Sequence, residues 1–126
     1  PRADPARYLA RLALADLFLD TSPYNAGTVA SDALRMGLPL VTLSGRSFAS
    51  RMAASLLRAV GLTETIATTL DDYVDIAVAL GTDTAQLSQA RRVLAGGAAW
   101  RRSIGDSAGF AARMEAAYES ILLTAP

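Results

Sequence analysis

A chain of 126 residues, 52% of them hydrophobic, has room for one domain with a real core but not for two ordinary ones. Twelve basic residues, all arginine, balance twelve acids, so no broad positive field exists to hold nucleic acid or an anionic membrane. With no Cys and no His, this chain carries no disulfide, no thiol chemistry, and neither the commonest general base nor the commonest metal ligand. No apolar run approaches the roughly 20 residues of a membrane span, and a signal peptide is not expected. The expected location is cytoplasmic.

Pro1 to Leu14 reads as a helix entered from a turn, with Asp4 as N-cap and Pro5 as first helical residue. Tyr8, Leu9 and Leu12 share one face of it. Leu17-Phe18-Leu19 is a short apolar run that predicts a strand buried on both faces, closed by Asp20. Thr21 to Gly27 is turn-forming, and Thr28 to about Met36 predicts a helix stopped at Gly37. Leu38-Pro39 cannot continue that helix, and Leu40-Val41-Thr42 is the next expected strand.

After the loop Ser44-Gly45-Arg46, Ser47 caps an expected helix to about Val60. Phe48, Met52, Leu56 and Val60 form its apolar stripe, and Gly61 stops it. Thr63 to Thr68 reads as a short strand or an extended turn. Thr69 to Leu80 predicts a helix with Tyr73, Ile76, Ala77 and Leu80 inward, Asp71 and Asp72 at its positive end, and Gly81 as its stop. Thr84 to about Ala95 repeats the pattern with Leu87 and Leu94 inward. Gly96-Gly97 breaks the chain and Trp100 follows in a basic, irregular stretch. Ser107 to Leu123 predicts a last helix capped by Asp106 or Ser107, with Phe110, Met114, Ala117 and Ile121 as its buried stripe. The expectation is an α/β, Rossmann-like domain: a partial parallel sheet of about three short strands with helices on both faces. A helix-first opening and so thin a sheet lead us to expect one domain, residues 1–126, that is a portion of a longer chain.

Three places can carry chemistry. Gly27 and Ala26 let the backbone approach a ligand closely. The amides of Thr28, Val29 and Ala30 then open a helix as unpaired donors with partial positive charge. The Thr28 hydroxyl adds a donor, and Asp32, one turn on, can accept the hydroxyls of a ribose, so Gly27, Thr28, Val29 and Asp32 suit a sugar nucleotide. A glycine loop before a helix is also common without a ligand. The second place is Ser44-Gly45-Arg46 with Arg51, where an arginine can clamp phosphate or simply pair with an acid and cover apolar surface. The third, the acids Asp71, Asp72 and Asp75, reads as a solvated helix face. No zinc spacing, nucleophile elbow or P-loop is present.

The run DTSPYNAGTVASDALRMGLPLVTLSGRSFASRMAASLL, Asp20 to Leu57, resembles the C-terminal catalytic half of the O-GlcNAc transferases. Leu70 to Asp83 is also similar to that family's helix after the site, and the resemblance extends from Ala15 to about Tyr118. It implies the latter part of the UDP-binding second domain of a GT-B glycosyltransferase, with a further Rossmann-like domain and often tetratricopeptide repeats upstream. The implied activity is inverting transfer of N-acetylglucosamine from UDP-GlcNAc to protein Ser or Thr, with the UDP-sugar as substrate, an acceptor protein as partner, and no metal or cofactor. The family's ribose-binding acid matches Asp32. Gly27 stands where the family often has His, and Val29 where it often has a second Thr; backbone donation survives both changes. The family's basic residue at the leaving group and its proposed acid-base groups lie upstream, without a match here, so no catalytic residue is assigned in this chain. Alternatives are a related transferase with another donor or acceptor, such as protein Asn glucosylation, or a non-catalytic binding module on the same fold.

Overall fold

The computed structural model describes residues 3–124; Pro1 and Arg2, where the expected first helix opens, lie outside the described residues. Helix α1 (Pro5–Leu12) starts where the local chemistry requires, with the Asp4 carboxylate accepting from the Arg7 amide and proline inside the first turn. Three short parallel strands follow in the order β1-β2-β3: β1 (Phe18–Leu19), β2 (Leu40–Leu43) and β3 (Ile66–Ala67). Phe18 and Leu19 pair with Leu40 and Val41, while Ile66 and Ala67 pair with Thr42 and Leu43. The stretch from Thr63 to Thr68 is therefore a 3₁₀ turn (Thr63–Thr65) leading into the third strand.

Parallel strands need long crossovers, supplied here by α2 (Thr28–Arg35) and by a 3₁₀ turn (Ala49–Arg51) running into α3 (Met52–Val60). Helix α4 (Leu70–Thr82) follows β3. Each of these helices begins beyond the carboxyl end of a strand, so their N-termini share one rim of the sheet. The core is built from Ala30, Leu34, Leu40, Val41, Ala53, Leu57, Leu62 and Leu94, all fully buried.

Five expectations are corrected, the last of them on α7. Strand β1 has a single neighbour, and Leu19 is 54% exposed, so the strand is not buried on both faces. The helix after Ser47 is divided, and its buried face is Ala53, Ala54, Leu57 and Val60. Phe48, Met52 and Leu56 lie one position away on a more open face, because an alanine-rich helix is apolar on more than one side and only packing chooses between the two stripes. Gly81 does not stop α4; the helix passes through it to Thr82, and Asp83 then caps α5 (Thr84–Leu94). Trp100 sits in a short helix, α6 (Ala98–Arg102), rather than in irregular chain.

The last helix, α7 (Ser107–Thr124), is capped by the Asp106 carboxylate, which accepts from the Gly109 amide. Its expected buried stripe is instead exposed, with Phe110 at 60% and Ile121 at 63%, and no described α7 residue belongs to the core cluster or packs against it.

Backbone approaches backbone where α2 ends. A Cβ at Gly97 would collide with the Arg35 carbonyl, and Gly97 also holds a φ of +84°. This approach brings Trp100 onto α2: its indole Nε1 donates to Ser31 Oγ at 2.9 Å and Arg35 lies 5.4 Å over its ring. Gly61, which caps α3 at φ +79°, has open space where its Cβ would be. Gly61→Ala should therefore cost only the left-handed conformation, about 1–2 kcal/mol, whereas Gly97→Ala should cost clearly more. Urea denaturation of the two variants compares them directly, and equal losses would remove the role given to the Gly97–Arg35 approach.

Candidate functional site

The site is built outward from Asp20. A strand ending in an acid before a Ser/Pro/Asn/Gly loop places a carboxylate where backbone donors turn back toward it. Asp20 is buried, and its Oδ1 accepts from the amides of Thr21 and Ala26, both at 2.8 Å. Its Oδ2 accepts from the Thr42 hydroxyl on the neighbouring strand at 2.6 Å. From the opposite side of the residue, the Tyr73 hydroxyl of α4 donates to the Asp20 carbonyl at 2.9 Å. Burial first, and then the negative charge of Asp20, push the Tyr73 phenol above its ordinary value of 10.0.

A second anchor closes the same loop. Asn25 is fully buried; its amide donates to the Ala49 carbonyl at 3.0 Å and its Nδ2 to the Thr21 carbonyl at 2.9 Å. Its Oδ1 is the buried side-chain polar atom left without a partner among the described residues. Asn25 thus ties the loop after β1 to the loop after β2.

Held in this way, the loop delivers α2 with an open end. Gly27 is its N-cap, at φ −99° and ψ −80°, and no side chain caps the first turn. The starts of α1, α4, α5 and α7 are closed by local side chains, whereas those of α3 and α6, like that of α2, are not. Thr69 and Asp72 form a reciprocal capping box on α4, and Asp83 accepts from the amides of Ala85 and Gln86 on α5. Those bonds, chiefly with the Thr69 and Gln86 side chains, hold the Asp72 and Asp83 carboxyls below the usual carboxylate value. On α2 the amides of Thr28, Val29 and Ala30 have no such intrahelical or side-chain acceptor.

The residues expected to bind are brought together. Thr28, Val29 and Asp32 stand at i, i+1 and i+4, on the accessible side of α2, while Ala30, Ala33 and Leu34 face the core. Gly27 sits against α3: a Cβ there would lie 2.9 Å from Met52 Sδ, so the thioether fills the volume that a side chain at 27 would take. The second expected place is joined to the first through that contact. Arg46 and Arg51 line one cavity with Phe48, Met52, Leu56 and Arg58. Asp71, Asp72 and Asp75 are exposed on α4, as a solvated face requires. Asp20 and Asn25 are the residues that sequence reasoning left without a role. The acid after the apolar run was a visible signal for Asp20, but Thr42 and Tyr73, its distant partners, were not.

Parallel strands, connecting helices and a helix start opening at the carboxyl rim define a Rossmann-like α/β domain. Residues 3–108 match the model of glycosyl transferase family 41, and the chain belongs to that family. It is 37% identical over 108 residues to a probable UDP-N-acetylglucosamine–peptide N-acetylglucosaminyltransferase SPINDLY of Petunia hybrida, covering 86% of this chain and 12% of that protein. It is 47% identical over 78 residues to the UDP-N-acetylglucosamine–peptide N-acetylglucosaminyltransferase of Caenorhabditis elegans, covering 62% of this chain and 7% of that one. A solved structure of a mutant O-GlcNAc transferase from Thermobaculum terrenum superposes with a TM-score of 0.83 at 39% identity, over 94% of this chain and 23% of that chain. The chain thus spans about an eighth of the Petunia relative's length and under a quarter of the solved chain. Among the described residues no helix is long and apolar enough to cross a membrane.

Two measurements test the Asp20 anchor. Thr42→Val should destabilise the fold by about 1–3 kcal/mol, the usual consequence of leaving a buried polar partner unpaired, and Asp20→Ala, which orphans three donors, should cost more. A Thr42→Val variant as stable as the parent in urea would remove the anchor. Because the Tyr73 phenol binds its proton more tightly when folded, its contribution is intact below pH 10.0 and is lost as pH rises through the folded value. Tyr73→Phe should therefore flatten the decline in stability above that pH; an unchanged alkaline slope would contradict the assignment.

Proposed function

We propose that this chain is the UDP-sugar-binding part of an inverting glycosyltransferase that moves N-acetylglucosamine from UDP-GlcNAc to Ser or Thr of an acceptor protein. The observation that carries the reading is the uncapped start of α2, held open by Asp20 and Asn25 in a chain of glycosyl transferase family 41. The names of the Petunia and Caenorhabditis relatives support the donor and the peptide acceptor.

In this reading the diphosphate lies against the amides of Thr28, Val29 and Ala30, with the Thr28 hydroxyl as a further donor. Gly27 keeps the approach clear of side chain. Asp32 accepts from the ribose hydroxyls. As the acceptor hydroxyl attacks the anomeric carbon, negative charge grows on the departing UDP, and a fixed set of helix-end dipoles meets it without reorganisation. No residue of this chain moves the proton of the acceptor hydroxyl. That work falls to a further Rossmann-like domain of the full-length protein, with tetratricopeptide repeats as the expected acceptor-gathering segment upstream.

Calorimetric titration of UDP into the full-length protein tests the assignment. Asp32→Ala should weaken binding more than tenfold, equivalent to about 1.4 kcal/mol. Unchanged affinity would overturn the ribose role of Asp32, and a donor screen returning a different nucleotide sugar would overturn the choice of UDP-GlcNAc.

A further inference from the structure

A cavity of about 650 Å³ opens beside the start of α2, lined by Arg46, Phe48, Arg51, Met52, Leu56 and Arg58 among others. Its walls bring three of the chain's twelve arginines together and include no acid, although the chain as a whole has zero formal net charge. Among the described residues the ion pairs are Arg91 with Asp16 and Arg113 with Asp106, so none of these three guanidiniums has a carboxylate within bonding distance. A concave surface lined by one sign of charge concentrates its field on whatever enters. The remainder of the wall is apolar: Phe48 is 84% exposed, and Met52 and Leu56 are half-buried beside it. Met52 is shared, since its Sδ also abuts Gly27 at the start of α2.

We propose that this cavity holds an acidic, partly apolar segment of the acceptor polypeptide, close to the hydroxyl that is modified. The proposal rests on the reading of this chain as part of a protein glycosyltransferase. A carboxylate of the segment is gripped by forked guanidinium donors, while an apolar neighbour packs on Phe48, Met52 and Leu56. The volume suits a few side chains of an extended peptide. A free phosphate would leave the exposed phenyl ring and thioether without a partner. Nucleic acid would need a basic field wider than one cavity in a neutral chain. An acidic peptide uses both halves of the wall.

The test uses the full-length protein and two fluorescein-labelled peptides of equal length. Each has one serine and one leucine; one carries Asp and Glu around them, and the other has Asn and Gln at the same positions. By fluorescence anisotropy, the acidic peptide should bind the parent protein at least tenfold more tightly than its neutral counterpart, and its affinity should fall steeply with salt. Arg46→Gln with Arg58→Gln should reduce acidic-peptide affinity to the neutral level. Calorimetric UDP affinity should stay within twofold, which also reports that the variant is folded.

Equal binding of the two peptides by the parent protein overturns the proposal without reliance on any variant. Arginine-dependent binding of inorganic phosphate or of phosphatidylserine vesicles, with no preference for the acidic peptide, overturns the choice of occupant. If UDP fails to bind the parent protein while the acidic peptide binds through the arginines, the donor assignment falls and the cavity assignment stands.

Discussion

The buried carboxylate of Asp20 is the constraint on which the rest of this rim depends. Taking a carboxylate out of water is expensive unless its lone pairs are met, and here two backbone amides and one hydroxyl meet them. Each charge-assisted bond of this kind contributes on the order of 1.5–3 kcal/mol. The consequence is geometric as well as energetic. Because Oδ1 takes the Ala26 amide and Oδ2 takes the β2 hydroxyl, the loop from Thr21 to Gly27 has its two ends referenced to the sheet. Helix α2 then enters at a defined place. Tyr73 adds α4 to the same residue, so two of the helices around the sheet are positioned from one amino acid.

Against that anchored background, the uncapped start of α2 acquires meaning. Four helix starts are closed by local side chains, namely Asp4, the Thr69–Asp72 pair, Asp83 and Asp106, while α3 and the short α6 share the uncapped start of α2. A glycine N-cap with no side-chain acceptor gives up that stabilisation on α2. The donors left open there face the rim where α/β domains receive ligands. Asn25, with a buried carbonyl oxygen unpartnered among the described residues, marks the same loop as one not arranged for stability alone.

Much of the fold was legible because its causes are local. Asp4 before Pro5 announced α1, the apolar run before Asp20 announced β1, and Gly37 and Gly61 fell at the ends of α2 and α3. Failures arose where two local readings were equally good. On α3, the stripe through Phe48, Met52 and Leu56 competes with the one through Ala53 and Leu57, and the core took the smaller residues because α3 packs closely against the sheet and α2. On α7, Phe110, Met114 and Ile121 have helical spacing, yet all three are exposed and none joins the described core. Gly81 reads as a stop only if Asp83 is overlooked as the next cap.

The sequence by itself determined the alternation of strands and helices, the caps, and the candidate binding face of Gly27, Thr28, Val29 and Asp32, since each depends on residues within a turn or two of one another. The tertiary structure decided what lies between distant segments. Thr42 and Tyr73 reach Asp20 from 22 and 53 residues away. Met52 fills the space beside Gly27, and three arginines that look like ordinary surface in the sequence meet around one cavity. Such meetings are set by how the crossovers return each strand to the sheet, and side-chain periodicity carries no record of that.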